Sequence, residues 1–424
     1  MDQETARVLD RDNTQAYNAR VKRIQDAVDL KVPDRVPFYL SWRFWPARQA
    51  GMTCQEAMYN PKKLSAATKA ALLKYQPDCF QTPHNNISFG DTLEILDFTA
   101  LAWPGHGTDP DVSYQYLDRE YMSVAEYDDY LFDPSGFILR KYLPRLAGTT
   151  GGLAQLPDLT GVHYTRTVVL ARAIAKPEVW ATFQKLREAG EKMEESVVEA
   201  AAFEAEMRGL GFPALVASTS SAPFDRLSDY FRGSKGAMLD MYRRKDKVLA
   251  MLEKLTASVI RNSIEEAQGK AGNHVFIPLH WGLNGFMSPD QFNTFYWPQF
   301  RRVIMALIEA NLTPYIFWEG DCSSRLETIA DVPPGKCIYK FERTDMFLAK
   351  KVLGGITCIQ GAVPPSMLNA GTPDDVDAFC RKLIEGVGKD GGFILDGGTG
   401  VPDEARPENV AAMAAATAKY NPYK

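Results

Sequence analysis

Eight short apolar runs punctuate the chain, at 36–40, 79–83, 214–218, 275–280, 314–319, 337–341, 356–360 and 392–395, each closed or directly followed by proline or a polar residue. Runs of this length read as strands. Between the last five lie segments of helical period. The stretch 288–310 opens with Ser288-Pro289-Asp290, a cap followed by proline at the first helical position. The stretch 372–386 opens with Thr372-Pro373-Asp374 and carries Val376, Phe379 and Leu383 on one stripe, which Val387 continues.

Strands that alternate with amphipathic helices build a parallel sheet covered on both faces, and eight of them close into a cylinder. The expected fold is therefore α/β, a single (β/α)8 TIM-type barrel occupying 1–424 as one domain. The pattern is weaker before residue 213. There, 103–157 is rich in Pro, Gly, Asp and Tyr and reads as an irregular insertion, an extended N-terminal excursion over one barrel face. The segment 177–209 reads as helices with an acidic outer surface.

With 424 residues, 45% of them hydrophobic and 24% charged, the chain can bury a large core and is not disordered. A net charge of -5 argues against a nucleic-acid protein and against an anionic partner surface. No apolar stretch approaches the roughly 20 residues needed to cross a bilayer, and Met1-Asp2-Gln3-Glu4 is too polar for a signal peptide. A cytoplasmic protein without membrane contact is expected. Its six cysteines include no CxxC pair, which in a reducing compartment means free thiols.

In a barrel of this kind the reacting groups sit where strands end. His280 closes the run 275–280 and precedes Trp281-Gly282, so its imidazole is expected in the barrel mouth as a proton carrier or ligand. A structural histidine bonded to backbone is the alternative. His84 is a second-rank candidate. The next run ends in Trp318-Glu319-Gly320-Asp321-Cys322, two carboxylates and a thiol within four residues. Burying such charges is costly without a compensating cation or donor, so metal binding or proton transfer is expected of Glu319 and Asp321. A salt bridge from Glu319 to Arg325 or Arg343, and a helix cap at Asp321, are the structural alternatives. Gln360, which ends one later run, and Asp396, which directly follows another, are candidate substrate contacts. Trp281, Trp318 and Phe286 are expected to wall a pocket for a flat apolar ligand.

Catalytic zinc commonly takes three protein ligands and leaves a fourth position open. His280, Glu319 and a thiol, Cys322 or Cys358, would satisfy that rule, although each thiol can equally be a buried small hydrophobe. Asp396-Gly397-Gly398-Thr399-Gly400 runs into Val401-Pro402 and not into a helix, which excludes a dinucleotide loop.

Several stretches look familiar together. Ile359-Gln360-Gly361 with Pro365, Gly371-Thr372-Pro373, Gly391-Gly392-Phe393-Ile394-Leu395 and Pro407-Glu408-Asn409-Val410 with Ala412-Met413 resemble the C-terminal signature of the uroporphyrinogen decarboxylase superfamily. Arg48-Gln49-Ala50-Gly51, and Ser288-Pro289-Asp290-Gln291-Phe292 with Pro298, match its pattern too. The resemblance runs from about residue 30 to the end and implies a single (β/α) barrel.

That superfamily has two chemical branches. In the decarboxylases the RQAG element continues with an arginine that helps bind the substrate's carboxylates; here Met52 follows. The segment carrying their key aspartate is replaced by Cys79-Phe80-Gln81-Thr82-Pro83-His84. A polycarboxylate substrate thus loses its cationic grip. The other branch comprises cobalamin-dependent methyltransferases, with zinc at the site and a separate corrinoid protein as methyl carrier. Aligned on Gly320 and Gly400, the zinc motifs of its methanogen members fall on Phe317, Glu319 and Thr399, and only Glu319 keeps a ligand-type side chain. An oxygen- and nitrogen-rich zinc site of Glu319 and His280 would suit an ether oxygen better than sulfur.

The resemblance therefore implies an O-demethylating methyltransferase that acts on a methoxylated aromatic methyl donor. The chain has no DxHxxG cobalamin signature, so a corrinoid protein would dock as partner; pairing with a second copy of the chain is compatible with this. The competing reading is a decarboxylase or lyase using Arg48 and His280.

Overall fold

The computed structural model describes residues 3–161 and 163–423. Strands form at all eight runs: β1 (Tyr39–Leu40), β2 (Cys79–Phe80), β3 (Val216–Thr219), β4 (His274–Leu279), β5 (Thr313–Trp318), β6 (Ile338–Phe341), β7 (Cys358–Val363) and β8 (Phe393–Gly397). From β3 to β8 every neighbour pairs in parallel and in chain order, and β1 pairs in parallel with β2. Parallel bridges join the two pieces, Phe38 to Leu395 and Phe80 to Ala214. The Leu395 amide donates to the Pro37 carbonyl at 2.9 Å and the Phe80 amide to Pro213 at 3.3 Å. The ring so closed is the TIM-type barrel that the run pattern predicts.

Every residue of β5, β7 and β8 is buried, as helices on the outside and side chains inside require. The helix predicted at 288–310 is continuous from Pro289 to Glu309. Ser288 caps it by accepting from the Gln291 amide, and five residues, Phe292–Tyr296, are wound as a π turn. Its stripe of Phe300, Val303, Ile304 and Leu307 covers the barrel wall. Thr372 caps Pro373–Leu383 in the same manner. Pro177–Gly209 forms one helix of 33 residues. Among the described residues no helix is long and apolar enough to cross a membrane.

Two regions depart from the sequence pattern. The helix Gln3–Val28 was not foreshadowed. Its Ile24, Ala27 and Val28 pack on Tyr39, Cys79, Tyr315 and Cys358 and plug the N-terminal end of the barrel. The stretch 103–157 is more regular than expected: a small sheet (Leu101–Pro104, Gly107–Thr108, Gln115–Tyr116) leads into short helical turns reaching Gln155. It is anchored on the barrel where the Tyr121 and Met122 amides donate to the Phe231 carbonyl at 2.9 and 2.7 Å.

A polar knot fills the barrel interior. Lys340 Nζ donates to Asp396 and to Ser41 Oγ, each at 2.7 Å, and Gln360 Nε2 donates to Asp396 at 2.9 Å and to Tyr315 Oη at 2.8 Å. All five residues are buried. Gln360 and Asp396, expected to touch substrate, are thus spent on one another beneath the cavity; burial makes each the partner the other needs. Removing one member of a buried ion pair leaves an uncompensated charge and costs about 3–5 kcal/mol. Urea unfolding should show that loss for Asp396→Ala, whereas Lys340→Met combined with Asp396→Leu should recover most of it. Equal stabilities for the single and double variants would mean that the pair is not coupled.

Candidate active site

Above this knot the C-terminal strand ends surround a cavity of about 500 Å3. Its floor includes Lys340 and Phe317, and Tyr114, Tyr116, Tyr121 and Tyr142 reach over it from the excursion. A volume of this size takes one small molecule.

His280 stands in the cavity wall immediately after β4. Its placement depends on a short helix, Pro223–Leu227, and the π turn Ser228–Arg232 that follow β3. These carry Asp225 and Asp229, four residues apart and therefore on neighbouring positions of one face. Asp225 is fully buried and accepts from the backbone amides of His280 at 2.9 Å and Trp281 at 3.3 Å, and from Tyr296 Oη at 2.9 Å. Asp229 accepts from the two side chains, His280 Nδ1 at 2.6 Å and Trp281 Nε1. One carboxylate fixes the backbone of the strand end and the other fixes its rings.

With Nδ1 so engaged, Nε2 faces Glu319, whose Oε1 lies 3.7 Å away. The two residues thus converge, as the strand-end pattern anticipates. Burial alone would lower the His280 pKa, but the hydrogen bond that Nδ1 donates to Asp229 and the charges of Asp225, Asp229 and Glu319 prevail and lift it to about 9. Burial pushes the Glu319 carboxyl up, against the attraction of His280 and Arg43. Burial likewise pushes Asp225 up to about 7, with His280 opposing. A charged imidazole beside a carboxyl reluctant to ionise is a pair able to hold and pass a proton.

The other anticipated residues are distributed differently. Trp281 lines the cavity; Phe286 does not, but packs edge-on against Trp281 at 4.9 Å and is half exposed. Trp318 is not a pocket wall. Side chains alternate along β5, so Phe317 points inward and Trp318 outward, where it packs on Phe300 and Tyr339. His84 lies away from the cavity, buried in the helical layer where its Nε2 is 2.9 Å from Ser65 Oγ and 3.2 Å from the Pro61 carbonyl. Asp321 is exposed and spends its carboxylate on the Ser323 amide at 2.9 Å and on Asn284 Nδ2 at 2.9 Å, a local turn and not the helix cap, since the N-cap of the turn Ser323–Arg325 is Cys322. Arg48 pairs with Glu404 at 3.2 Å and does not line the cavity.

The zinc expectation fares no better with its thiols. Cys322 is buried against Thr344 Oγ1 at 3.1 Å, and burial pushes its thiol up to about 12. Cys358 begins β7, at the opposite end of the barrel, and burial also raises its pKa. His280 and Glu319 remain as two donors, one short of a zinc set, and no group of three His, Cys, Asp or Glu able to hold a metal occurs among the described residues. The residues present do not fit that ion.

Sequence reasoning missed Asp225, Asp229, Arg43 and the excursion's tyrosines. The four-residue spacing of two acids just after a strand end was a readable signal for the first two. Nothing local points to the rest.

A (β/α)8 barrel with an acid–base pair in its C-terminal mouth is the general class that fold and site define. The family model for uroporphyrinogen decarboxylase (URO-D) matches residues 162–420, well over half of the chain. The chain belongs to the uroporphyrinogen decarboxylase family. It is 29% identical over 185 residues to the uroporphyrinogen decarboxylase of Legionella pneumophila (strain Lens), covering 43% of this chain and 51% of that protein. It is 25% identical over 185 residues to the enzyme of the same name from Coxiella burnetii (strain RSA 493), covering 43% and 50%. The matches thus span about half the length of these curated relatives. A methyltransferase from Methanosarcina mazei has the same fold, with a TM-score of 0.61 at 16% identity over 94% of this chain and 98% of its own.

The elevated His280 pKa has a thermodynamic sign. The charged form is favoured in the folded state, so its stabilisation is complete below the ordinary value of 6.5 and is lost as pH rises through about 9. NMR titration of the imidazole should give a midpoint near 9 that moves to lower pH in Asp229→Asn. A midpoint unmoved by that substitution would remove Asp229 as the main source of the shift.

Proposed function

We propose that the protein is an O-demethylating methyltransferase that takes a methyl group from a small methoxylated aromatic donor and passes it to a corrinoid held by a partner protein. The observation that carries this reading is the placement of His280, its Nδ1 held by Asp229 and its Nε2 facing an aromatic-walled cavity beside Glu319, where its neighbours favour the protonated ring. An aryl methyl ether is a poor substrate because its leaving group is an aryloxide. As the methyl carbon departs, the electron pair of the broken C–O bond goes to the aryl oxygen, and the proton on His280 Nε2 is placed to neutralise it. Glu319 orients that proton and stabilises the imidazolium from which it comes.

The reduced corrinoid supplies the nucleophile. A cavity of about 500 Å3 that admits one small donor has no room for a corrin ring as well. The acceptor would therefore approach over the mouth, where Trp281, backed by Phe286, and Tyr116 present aromatic rings. The fold shared with the methanogen methyltransferase supports the reading at the level of architecture. The cavity charges support it too. Asp118, Asp225, Asp229 and Glu319 stand against Arg43, Lys340 and the charged His280 around the wall, which leaves no excess of cations for a polycarboxylic tetrapyrrole.

Mixing the protein with a methoxylated aromatic and a reduced corrinoid protein should methylate the corrinoid, seen in its absorption spectrum, and release the phenol. His280→Ala and Glu319→Gln should each reduce that rate by at least about 100-fold, in the range of a lost general acid. Wild-type rates in both variants would take the pair out of the mechanism.

A further inference from the structure

The cavity is larger than one methoxylated ring requires. An apolar space of about 150 Å3 is enough to bind a benzene molecule, so a volume of about 500 Å3 holds roughly three such spaces. Its lining is not uniform. The strand ends bring polar groups, His280, Glu319, Lys340 and Gln81 among them, whereas the segment 98–146 brings apolar ones. Besides the tyrosines already described, that segment contributes Phe98, Ala100, Leu117 and Leu146. The one charged residue it adds to the lining, Asp118, is spent at the start of the helix Gly233–Arg243, where it accepts from the Ser234 amide at 2.9 Å.

Backbone bonds hold the apolar groups side by side. The Thr99 amide donates to the Leu146 carbonyl at 2.7 Å, Phe98 bridges to Ala147, and the Leu117 amide donates to the Ala100 carbonyl at 3.1 Å. Tyr121 donates its hydroxyl to the Leu117 carbonyl at 3.2 Å and meets the Tyr142 ring edge-on at 6.3 Å. Tyr230 connects this wall to the one that carries His280. It follows Asp229 in the π turn and lines the same cavity, and after burial it is the largest influence raising the Tyr142 pKa. The apolar wall is thus preformed and continuous with the space in front of His280. Such a surface disfavours a charged or strongly polar ligand group, and its aromatic edges favour another ring.

We propose that this wall is a second subsite, which receives the distal ring of a two-ring aryl methyl ether while the methoxylated ring lies before His280. The substrate class narrows accordingly, from methoxylated aromatics to those that carry a second aromatic ring joined to the first. The identity of the reacting group rests on the function proposed above; the place for the second ring rests on the volume and the lining alone.

The test is calorimetric binding of methoxybenzene and of 4-methoxybiphenyl to the full chain. The biphenyl should bind at least about tenfold tighter, because the added ring takes further apolar surface out of water. Any apolar site would give some preference of this sign, so the location is tested by filling the subsite. Leu146→Trp and, separately, Ala100→Phe should each cut the preference to less than about threefold by weakening the biphenyl, with thermal unfolding showing that the variants are folded. Methyl NMR of the wild-type complexes gives a readout that needs no substitution: the Leu117 and Leu146 methyl signals should shift with the biphenyl and stay in place with methoxybenzene. Equal affinity for the two ethers, failure of the biphenyl to bind, a preference that survives in a folded filled variant, or unmoved leucine methyls would overturn the proposal. The two readings fail separately. A two-ring preference lost on filling, in a protein that transfers no methyl group, removes only the proposed function, while transfer from both ethers with equal kcat/KM removes only the second subsite.

Discussion

Two carboxylates one helical turn apart hold the site in place. Asp225 takes the backbone amides at the end of β4, and Asp229 takes the rings that those amides carry. Neither alone would suffice. A fixed backbone with a free imidazole would leave Nε2 to rotate away, and a bonded ring on a loose backbone would carry its partner with it. Together they choose which nitrogen faces the cavity, and they place negative charge close enough to keep the ring protonated well above its ordinary range.

The barrel contributes rigidity and a division of labour between its ends. At the N-terminal end the helix Gln3–Val28 and the buried Asp78, gripped by Arg23 and Arg35, seal the core. In the middle the Lys340–Asp396 pair with Gln360, Ser41 and Tyr315 makes a buried polar floor. Above that floor His280 and Glu319 face the cavity. A site built this way loses little ordering energy when a ligand arrives, because its side chains are already held.

The portion of chain outside the family match has a part in this. Residues 162–420 include β3 through β8 with Asp225, Asp229, His280 and Glu319. The staves that close the ring, β1 and β2, lie before them, as do Arg43 and the tyrosines over the cavity. The wall that carries His280 and Glu319 therefore belongs to the segment matched by the family model, and the wall that carries Arg43 and the tyrosines lies outside it. Loops grafted on a conserved barrel commonly divide chemistry from specificity in this way.

Local pattern was enough for the eight strands, for the helix starts at Ser288 and Thr372 and for the positions of His280 and Glu319, because apolar periodicity, caps and strand ends are written within a few residues. The superfamily resemblance was legible in short motifs for the same reason. Which side of a strand faces the cavity was not, so Trp318 was misplaced by one residue's alternation while its neighbour Phe317 lines the site. Long-range pairing was also hidden. Cys322 and Cys358 look alike in sequence, yet one is bound to Thr344 beside the site and the other is buried at the barrel's far end. The environment of His280 comes from a carboxylate 51 residues away, and Arg43, which lines the same cavity, follows a strand that only the closed ring brings there. Such contacts depend on the path of the whole chain through space, and no window of the sequence contains them.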